Sequence, residues 1–434
     1  MGGAAVGRAV FAVEVQDFDR VSVTTTARSP LGLESAEQPD ASAVAPIVKA
    51  TINTHAARFT HAISAIYLTP IGARALDLCL PMLPNHTDMT DQKVLGAAIF
   101  GAGWVAGEHA KAYQACARTR LVAVGSRKLE SARKCADYAG ARDAFVTTDF
   151  DALLARPDVD LVSITTPPDT HADLAIRAAR AGKHICLEKP IALDWKSCLD
   201  IQRETKKAGV KSVVCFVLHW NPSLMNTRRL IDQGAIGTPY YIEVDYWHGM
   251  KKWYPQYPWS VTRKQGGSSL LSAGCHAIDA MRWFAGTDND VVEVTAMNVK
   301  HIGDNKDWEY DPTTIVMCRF ANGAVGKCAS ILDCKMPYQF NIDVVGSSGT
   351  IRDNRLWSEP LLPGQTGWSV TPTILPDSGD VTHHPFTGQI EDLAAAILDG
   401  KKILPDIDDS LKTHELCFAA DRSAETGKAV KLPL

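Results

Sequence analysis

From residue 94 the chain alternates short, continuous apolar runs with segments whose apolar positions recur at helical spacing. VLGAAIF (94–100), RLVAVGS (120–126), DLVSITT (160–166), KHICLEKP (183–190) and KSVVCFVLHW (211–220) read as strands buried on both faces. LESARKCADYAG (129–140), HADLAIRAARAG (171–182) and DWKSCLDIQRETKKAG (194–209) read as the helices between them, the last closed by Gly209. Doubly buried strands alternating with helices predict a parallel sheet covered by helices, a Rossmann-type doubly wound domain. After about residue 216 the rhythm changes. TPYYIEVDYW (238–247), VVEVTAMNV (291–299), TTIVMCRF (313–320), GAVGKCASIL (323–332) and QFNIDVVG (339–346) follow one another with short turns. They predict an α+β domain with an open, mostly antiparallel sheet, with helices at 222–233, 274–285, 386–399 and 410–426. The last two are expected to pack back on the first domain.

Residues 1–88 carry no steady periodicity; ARSPLGLESAEQPDASAVAP (27–46) is turn-rich, and HAARFTHAISAIYL (55–68) suits a short amphipathic helix. The expected organisation is a poorly ordered extension over 1–88, a dinucleotide-binding domain over 89–215, and a substrate-binding and oligomerisation domain over 216–434. The start has no apolar core followed by a cleavage site, so no signal peptide is expected. A net charge of −4 argues for neither a nucleic-acid nor a membrane partner. The 11 cysteines are odd in number, form no CxxC pair and often sit inside apolar strands, which fits reduced thiols in a cytoplasmic protein. No clustered metal ligands are apparent, and the adjacent His383 and His384 project differently and make a poor pair, so no metal is expected.

The first strand ends in GAGWVA, which sets Gly101, Gly103 and Ala106 in a G-x-G-x-x-G/A pattern with Trp104 and Val105 between them. Gly101 permits the turn, Gly103 lets a pyrophosphate approach the backbone, and Ala106 keeps the helix close to the sheet. The strand before and the helix after are the context this pattern requires. The second strand ends in VGSRK, where an acidic residue would hold the ribose hydroxyls of NAD; Ser126 and Arg127 stand there instead. An arginine accommodates a 2′-phosphate, so NADP is favoured over NAD. The next two strands end in TTPPDTH and EKPIALD. They bring Thr166, Pro167, His171, Glu188 and Lys189 to the carboxyl ends of the strands, where ligands of open α/β sheets bind.

Taken together, GAGWVAGEHAKAY, TTPPDTHADLAIRAARAGKHICLEKPIALD, LIDQGAIGTPYYIE, GGSSLLSAGCHAIDAMRWFAG and VVGSSGTIR resemble the Gfo/Idh/MocA family of NAD(P)-dependent oxidoreductases, over about residues 93–434. The resemblance implies a sheet-mediated homodimer or homotetramer and a small, carbohydrate-like substrate. It also implies that Lys189 matches the catalytic lysine of the EKP motif and His276 the histidine of a D-x-x-x-H motif. The chain departs from that motif at Ser272, where the family has Asp. Asp279, one turn past His276, matches a family Asp commonly used in helix packing.

Further substrate contacts are expected from His219 and Asn221 in HWNPS, and from Trp247 at the head of an aromatic segment that includes Trp253, Tyr254, Tyr257 and Trp259. Packing of a long loop or a subunit contact explains those aromatics equally well. The leading expectation is a dehydrogenase or reductase moving a hydride between nicotinamide and a sugar-like or polyol secondary alcohol or ketone. The alternatives are a redox-neutral enzyme that cleaves a glycosidic bond with tightly bound cofactor, and a non-catalytic dinucleotide sensor.

Overall fold

A computed structural model describes residues 10–17, 20–26, 93–302, 306–373 and 385–434. The segment 55–68 and the pair His383 and His384 lie outside the described residues. The chain divides into two units, Met1–Met89 and Thr90–Leu434. In the first, strands β1 (Val10–Asp17) and β2 (Arg20–Thr26) pair antiparallel. Their alternating sequences, VFAVEVQD and RVSVTTT, carry a strand signal; the turn-rich stretch 27–46 lies outside the described residues.

The second unit opens with six parallel strands: β3 (Leu95–Phe100), β4 (Thr119–Gly125), β5 (Phe145–Thr147), β6 (Leu161–Ile164), β7 (His184–Leu187) and β8 (Ser212–Val214). Their order across the sheet is β5-β4-β3-β6-β7-β8. The chain starts in the middle, winds to one edge, and crosses back to wind to the other. This leaves a switch point between β3 and β6, where a crevice opens at the strand carboxyl ends. Leu95, Ala97, Ala98 and Ile99 have no exposed surface, which is why the strand reads as a continuous apolar run. The helix after β7, Trp195–Ala208, starts at Asp194, whose side chain accepts from Ser197 N, and stops at Gly209 in a left-handed conformation (φ 65°).

The remaining strands form one nine-stranded sheet. They are β9 (Pro239–Trp247), β10 (Val291–Val299), β11 (Thr313–Phe320), β12 (Val325–Ile331), β13 (Gln339–Gly346), β14 (Gly349–Arg352), β15 (Arg355–Ser358), β16 (Ser369–Val370) and β17 (Val430–Lys431). The order is β16-β15-β14-β13-β9-β12-β11-β10-β17, antiparallel throughout except where β12 runs parallel to β9. Helix Cys275–Ala285 lies against β9 and β12, and helix Ile407–Thr426 against β10. Helix Phe386–Leu398 returns to pack on Trp104–Ala115, the helix that follows the glycine loop. No helix of the described residues is long and apolar enough to cross a membrane.

Candidate active site

The glycine loop sits at the switch point. Gly101 has φ +111°, and a Cβ there would meet the Thr165 carbonyl carbon at 2.6 Å and the Thr166 nitrogen at 2.7 Å. Only glycine permits the ends of β3 and β6 to approach this closely. The two ends are tied by Thr165 Oγ1, which donates to Gly101 O at 2.6 Å. A Cβ on Gly103 would meet nothing within 4 Å, so the space beside this residue is open. Gly103 begins helix Trp104–Ala115 with no side-chain cap and no acidic residue in the first turn. The first N–H groups of that helix are thus available to an anion, and the residues present fit a dinucleotide pyrophosphate. Ala106 is fully buried against the sheet. Val105 is buried, and Trp104 meets Tyr254 edge-on, with ring centroids 5.8 Å apart. At the end of β4, Ser126 is half-buried and Arg127 exposed.

Thr166 and Pro167 are half-buried at the end of β6. His171 has no exposed surface, and its ring nitrogens face Pro190 O at 2.7 Å and Thr166 O at 2.8 Å. With both nitrogens engaged by backbone, the ring braces the two loops. Glu188 likewise turns inward. Its Oε1 lies 3.0 Å from His109 Nε2, and Oε2 accepts from Lys189 N at 3.3 Å. Burial opposes its charge, but His109 and the Lys189 ammonium outweigh burial and hold the carboxyl below its ordinary range. The EKP loop is also pinned from outside. His414 Nε2 accepts from Ile191 N at 2.9 Å, and its Nδ1 donates to Ser410 O at 2.8 Å. Burial pushes the His414 imidazole down to about 4, against the smaller opposing effect of the Ser410 carbonyl.

Lys189 joins the two halves of the site. Its Nζ donates to Ser272 O at 3.1 Å. Ser272 lies in a π-helical turn, Leu270–Gly274, that runs directly into helix Cys275–Ala285. Ordinary α-helical spacing would set Ser272, four residues before His276, on the same face. The wider π turn rotates that relation, and the Ser272 hydroxyl lies beside the Tyr310 phenol. His276 is largely buried. Its ring stacks on Tyr246 (6.1 Å between centroids, 13° between planes) and meets Phe216 edge-on at 5.7 Å. Beyond Tyr246 stand His248, Tyr254 and Tyr338, each ring in edge contact with another. Of this aromatic group, the sequence singles out only Tyr254.

Three further residues expected at the substrate, His219, Asn221 and Trp247, have contacts or positions set within the protein. His219 Nε2 pairs with Asp279 Oδ2 at 2.5 Å, and its ring stacks on Trp283 at 4.1 Å. The other oxygen of Asp279 accepts from Thr413 Oγ1 at 2.9 Å. Asp279 therefore serves His219 and the C-terminal helix. Asn221 caps helix Pro222–Asp232, its Oδ1 accepting from Ser223 N at 2.9 Å. On β9, side chains alternate between faces. Ile242, Val244 and Tyr246 turn inward toward His276, which puts Trp247 on the opposite face with Glu243 and Asp245. These geometries give His219 an ion pair, Asn221 a helix cap and Trp247 an outer-face position.

The chain matches two family models: "Oxidoreductase family, NAD-binding Rossmann fold" over residues 95–216, and "GFO/IDH/MocA C-terminal domain" over residues 224–352. It is 33% identical to an inositol 2-dehydrogenase of Rhizobium meliloti (strain 1021), over 77% of this chain and 98% of that protein. The crystal structure of a putative myo-inositol dehydrogenase from Sinorhizobium meliloti 1021 superposes with a TM-score of 0.67 at 28% identity, covering 78% of this chain and all of the other. A levoglucosan dehydrogenase in complex with NADH shares the fold, with a TM-score of 0.70 at 23% identity over 79% of this chain and all of the other. The two matched domains, the switch-point glycine loop and the EKP lysine stand in one chain, which belongs to the Gfo/Idh/MocA family of oxidoreductases.

Proposed function

We propose that this protein is an NAD(P)-dependent dehydrogenase acting on a secondary alcohol of a cyclic polyol or sugar, or on the matching ketone. The observation that carries the reading is the contact from Lys189 Nζ to Ser272 O, one turn before His276 and beside the open glycine loop. The lysine is thereby anchored to the turn that leads into the His276 helix, and in this reading the ammonium and the imidazole both serve a substrate hydroxyl lying against the nicotinamide. Gly103 and the first turn of helix Trp104–Ala115 would hold the pyrophosphate. When bound, the nicotinamide supplies the hydride acceptor.

In the proposed mechanism the His276 imidazole takes the hydroxyl proton as the carbinol C–H is lost, and returns it in reduction. An imidazole suits this task because its ordinary pKa lies near working pH. The Lys189 ammonium hydrogen-bonds the reacting oxygen and stabilises its developing negative charge. Glu188 and His414 hold the loop that aims the lysine. Ser272 lends its carbonyl to Lys189 and leaves the catalytic carboxylate position of the family without an acid. The inositol 2-dehydrogenase relative and the aromatic group at Tyr246, Tyr254 and Tyr338 support a ring substrate with C–H faces. The exposed Arg127, standing with Ser126 at the end of β4 where an acidic residue would hold the ribose hydroxyls of NAD, supports NADP over NAD.

The test is cofactor reduction by purified protein against a panel of inositols, sugars and sugar acids, with both NAD and NADP. Reduced cofactor should accumulate in step with one member of the panel. Substrate turnover without net reduced cofactor would instead mean a redox-neutral cycle. Dinucleotide binding with no turnover across the panel would favour a sensor.

A further inference from the structure

Helix Trp104–Ala115 carries two polar side chains four residues apart, His109 and Tyr113, on the face that packs against the sheet. Neither has any exposed surface. A buried imidazole and a buried phenol call for partners, and both find Ser163 on β6. His109 Nδ1 lies 3.0 Å from Ser163 Oγ, and Tyr113 Oη lies 2.6 Å from the same oxygen. The other ring nitrogen, Nε2, lies 3.0 Å from Glu188 Oε1, and Glu188 Oε2 accepts from Lys189 N at 3.3 Å. A hydrogen-bonded chain thus runs from Tyr113 through Ser163, His109 and Glu188 to the backbone of the EKP lysine. The Cys186 and Cys215 sulfurs stand 3.8 and 3.9 Å from the ring, and the Phe386 ring packs on it with centroids 5.0 Å apart.

This chain has one open end. Tyr113, Ser163 and His109 are fully buried, whereas the Glu188 side chain keeps 12% of its exposure. A chain closed at Tyr113 does not pass protons through the core; what it can do is hold a carboxylate. Burial opposes a charge on the His109 ring, but the Cys186 sulfur and the Glu188 carboxylate outweigh burial and raise the imidazole above its ordinary range. Both ring nitrogens then donate, one to Ser163 and one to Glu188. Of the other groups around Glu188, burial holds the His171 imidazole below its ordinary range and pushes the Tyr254 phenol and the Cys215 thiol up, so these three are neutral at working pH. His109 and Lys189 are left as the cations that face the carboxylate.

We propose that His109 is a positioning residue for Lys189: it fixes Glu188, which in turn fixes the lysine beside the nicotinamide. The inference rests on the proposed placement of Lys189 at the cofactor. The first turn of helix Trp104–Ala115 would hold the pyrophosphate and its second turn carries His109, so one rigid element aligns the phosphates and the ammonium together. Without the imidazole, Glu188 loses one of its two cations and the hydrogen bond that aims it, and the lysine is no longer held from behind.

An ammonium held beside the nicotinamide disfavours the cationic oxidised ring and leaves the neutral reduced ring almost unaffected. The ratio of Kd for oxidised to Kd for reduced dinucleotide therefore reports where the ammonium stands, without any turnover. A helix that is merely loosened weakens both forms alike. Calorimetric titration of the full-length protein with NADP and NADPH, and with NAD and NADH, should show tighter binding of the reduced form. Lys189→Ala should lower the ratio by about 10-fold, the scale of two partly screened unit charges a few ångströms apart. His109→Asn, whose shorter amide meets Ser163 but not Glu188, should lower it by about 3-fold or more, with binding of the reduced form retained. His109→Gln is equally uncharged, but its amide reaches the place of Nε2, so it should recover most of the ratio. In the Lys189→Ala background, His109→Asn should change nothing further, because it acts through the lysine. Ser163→Ala frees the other ring nitrogen without altering charge. It should move the ratio the same way by a smaller factor, and it carries the test if the asparagine variant fails to fold. An unchanged ratio in these variants while Lys189→Ala shifts it overturns the proposal, and so does an equal shift from His109→Asn with and without the lysine. A ratio that Lys189→Ala itself leaves unchanged overturns instead the placement of Lys189 beside the nicotinamide, and the positioning role with it.

Discussion

His414 offers a sharp test of how the EKP loop is held. Its Nε2 is the acceptor for the Ile191 N–H, two residues past the lysine, inside a fully buried contact. That role requires the neutral ring, and burial holds the folded pKa near 4, against 6.5 for the free side chain. Between these values the unfolded chain binds the proton and the folded chain does not. Stability is therefore intact above pH 6.5, falls as pH drops through the window, and stops falling below about pH 4. Each pH unit crossed inside that window costs about 1.4 kcal/mol, which makes the full loss about 3 kcal/mol and the loss at pH 5 about 2 kcal/mol. His414→Gln isolates this effect. A glutamine oxygen can accept from Ile191 N and its amide can donate to Ser410 O, and neither titrates. Urea unfolding of wild type and variant should be compared at pH 7.5 and pH 5. At pH 7.5 the variant should be less stable by about 1 kcal/mol, the scale of one imperfectly replaced buried hydrogen bond. At pH 5 the gap should shift by about 2 kcal/mol, leaving the variant the more stable of the two by about 1 kcal/mol. A gap that stays the same at both pH values refutes the argument that His414 is held neutral by burial.

Lys189→Ala and His276→Ala should each lower kcat by about 100-fold or more with dinucleotide binding retained, whereas Ser272→Ala should cost far less, because the backbone carbonyl that meets Lys189 survives. Near-normal turnover in His276→Ala would remove that residue from the chemistry. Gly103→Asp should abolish dinucleotide binding by placing a carboxylate in the space now open beside the helix start, and Arg127→Asp should move preference from NADP toward NAD; calorimetric titration with both dinucleotides reads each outcome. The outer face of β10 and β11 exposes Met297 and Met317 (71% and 53%), so a homodimer or homotetramer joined through this sheet is expected. Met317→Asp should shift it toward monomer in light scattering, and a wild-type protein already monomeric at micromolar concentration would contradict the assembly.

The order of elements was legible in the chain because burial on both faces demands continuous apolar strands, and amphipathic helices must cover them. LGAAIF, LVSI and HICL each read as a strand for that reason and form one. The glycine loop was legible too, since the close approach at Gly101 can be met by no other residue. Side-chain partners were a different matter. His171, His219 and Asn221 are polar residues near strand ends, and sequence position alone cannot distinguish such residues from ligand contacts. Asp279, sixty residues from His219, claims its ring, while carbonyls from two loops claim His171 and the adjacent helix claims Asn221.

Alternation along β9 separates Tyr246 from Trp247, but which of the two faces His276 depends on where helix Cys275–Ala285 docks. The π turn at Leu270–Gly274 looks like ordinary helix in the sequence, because its single extra residue leaves no compositional mark. The cluster of His109, Cys186 and Cys215 shows most clearly what the tertiary structure decided. The two cysteines are 77 and 106 residues from His109 and share no motif with it, and the three meet because parallel strands β7 and β8 and the first helix pack on one side of the sheet. Local periodicity follows from burial and can be read along the chain, whereas the pairing of polar groups depends on distances that exist only after the sheets and helices have closed on one another.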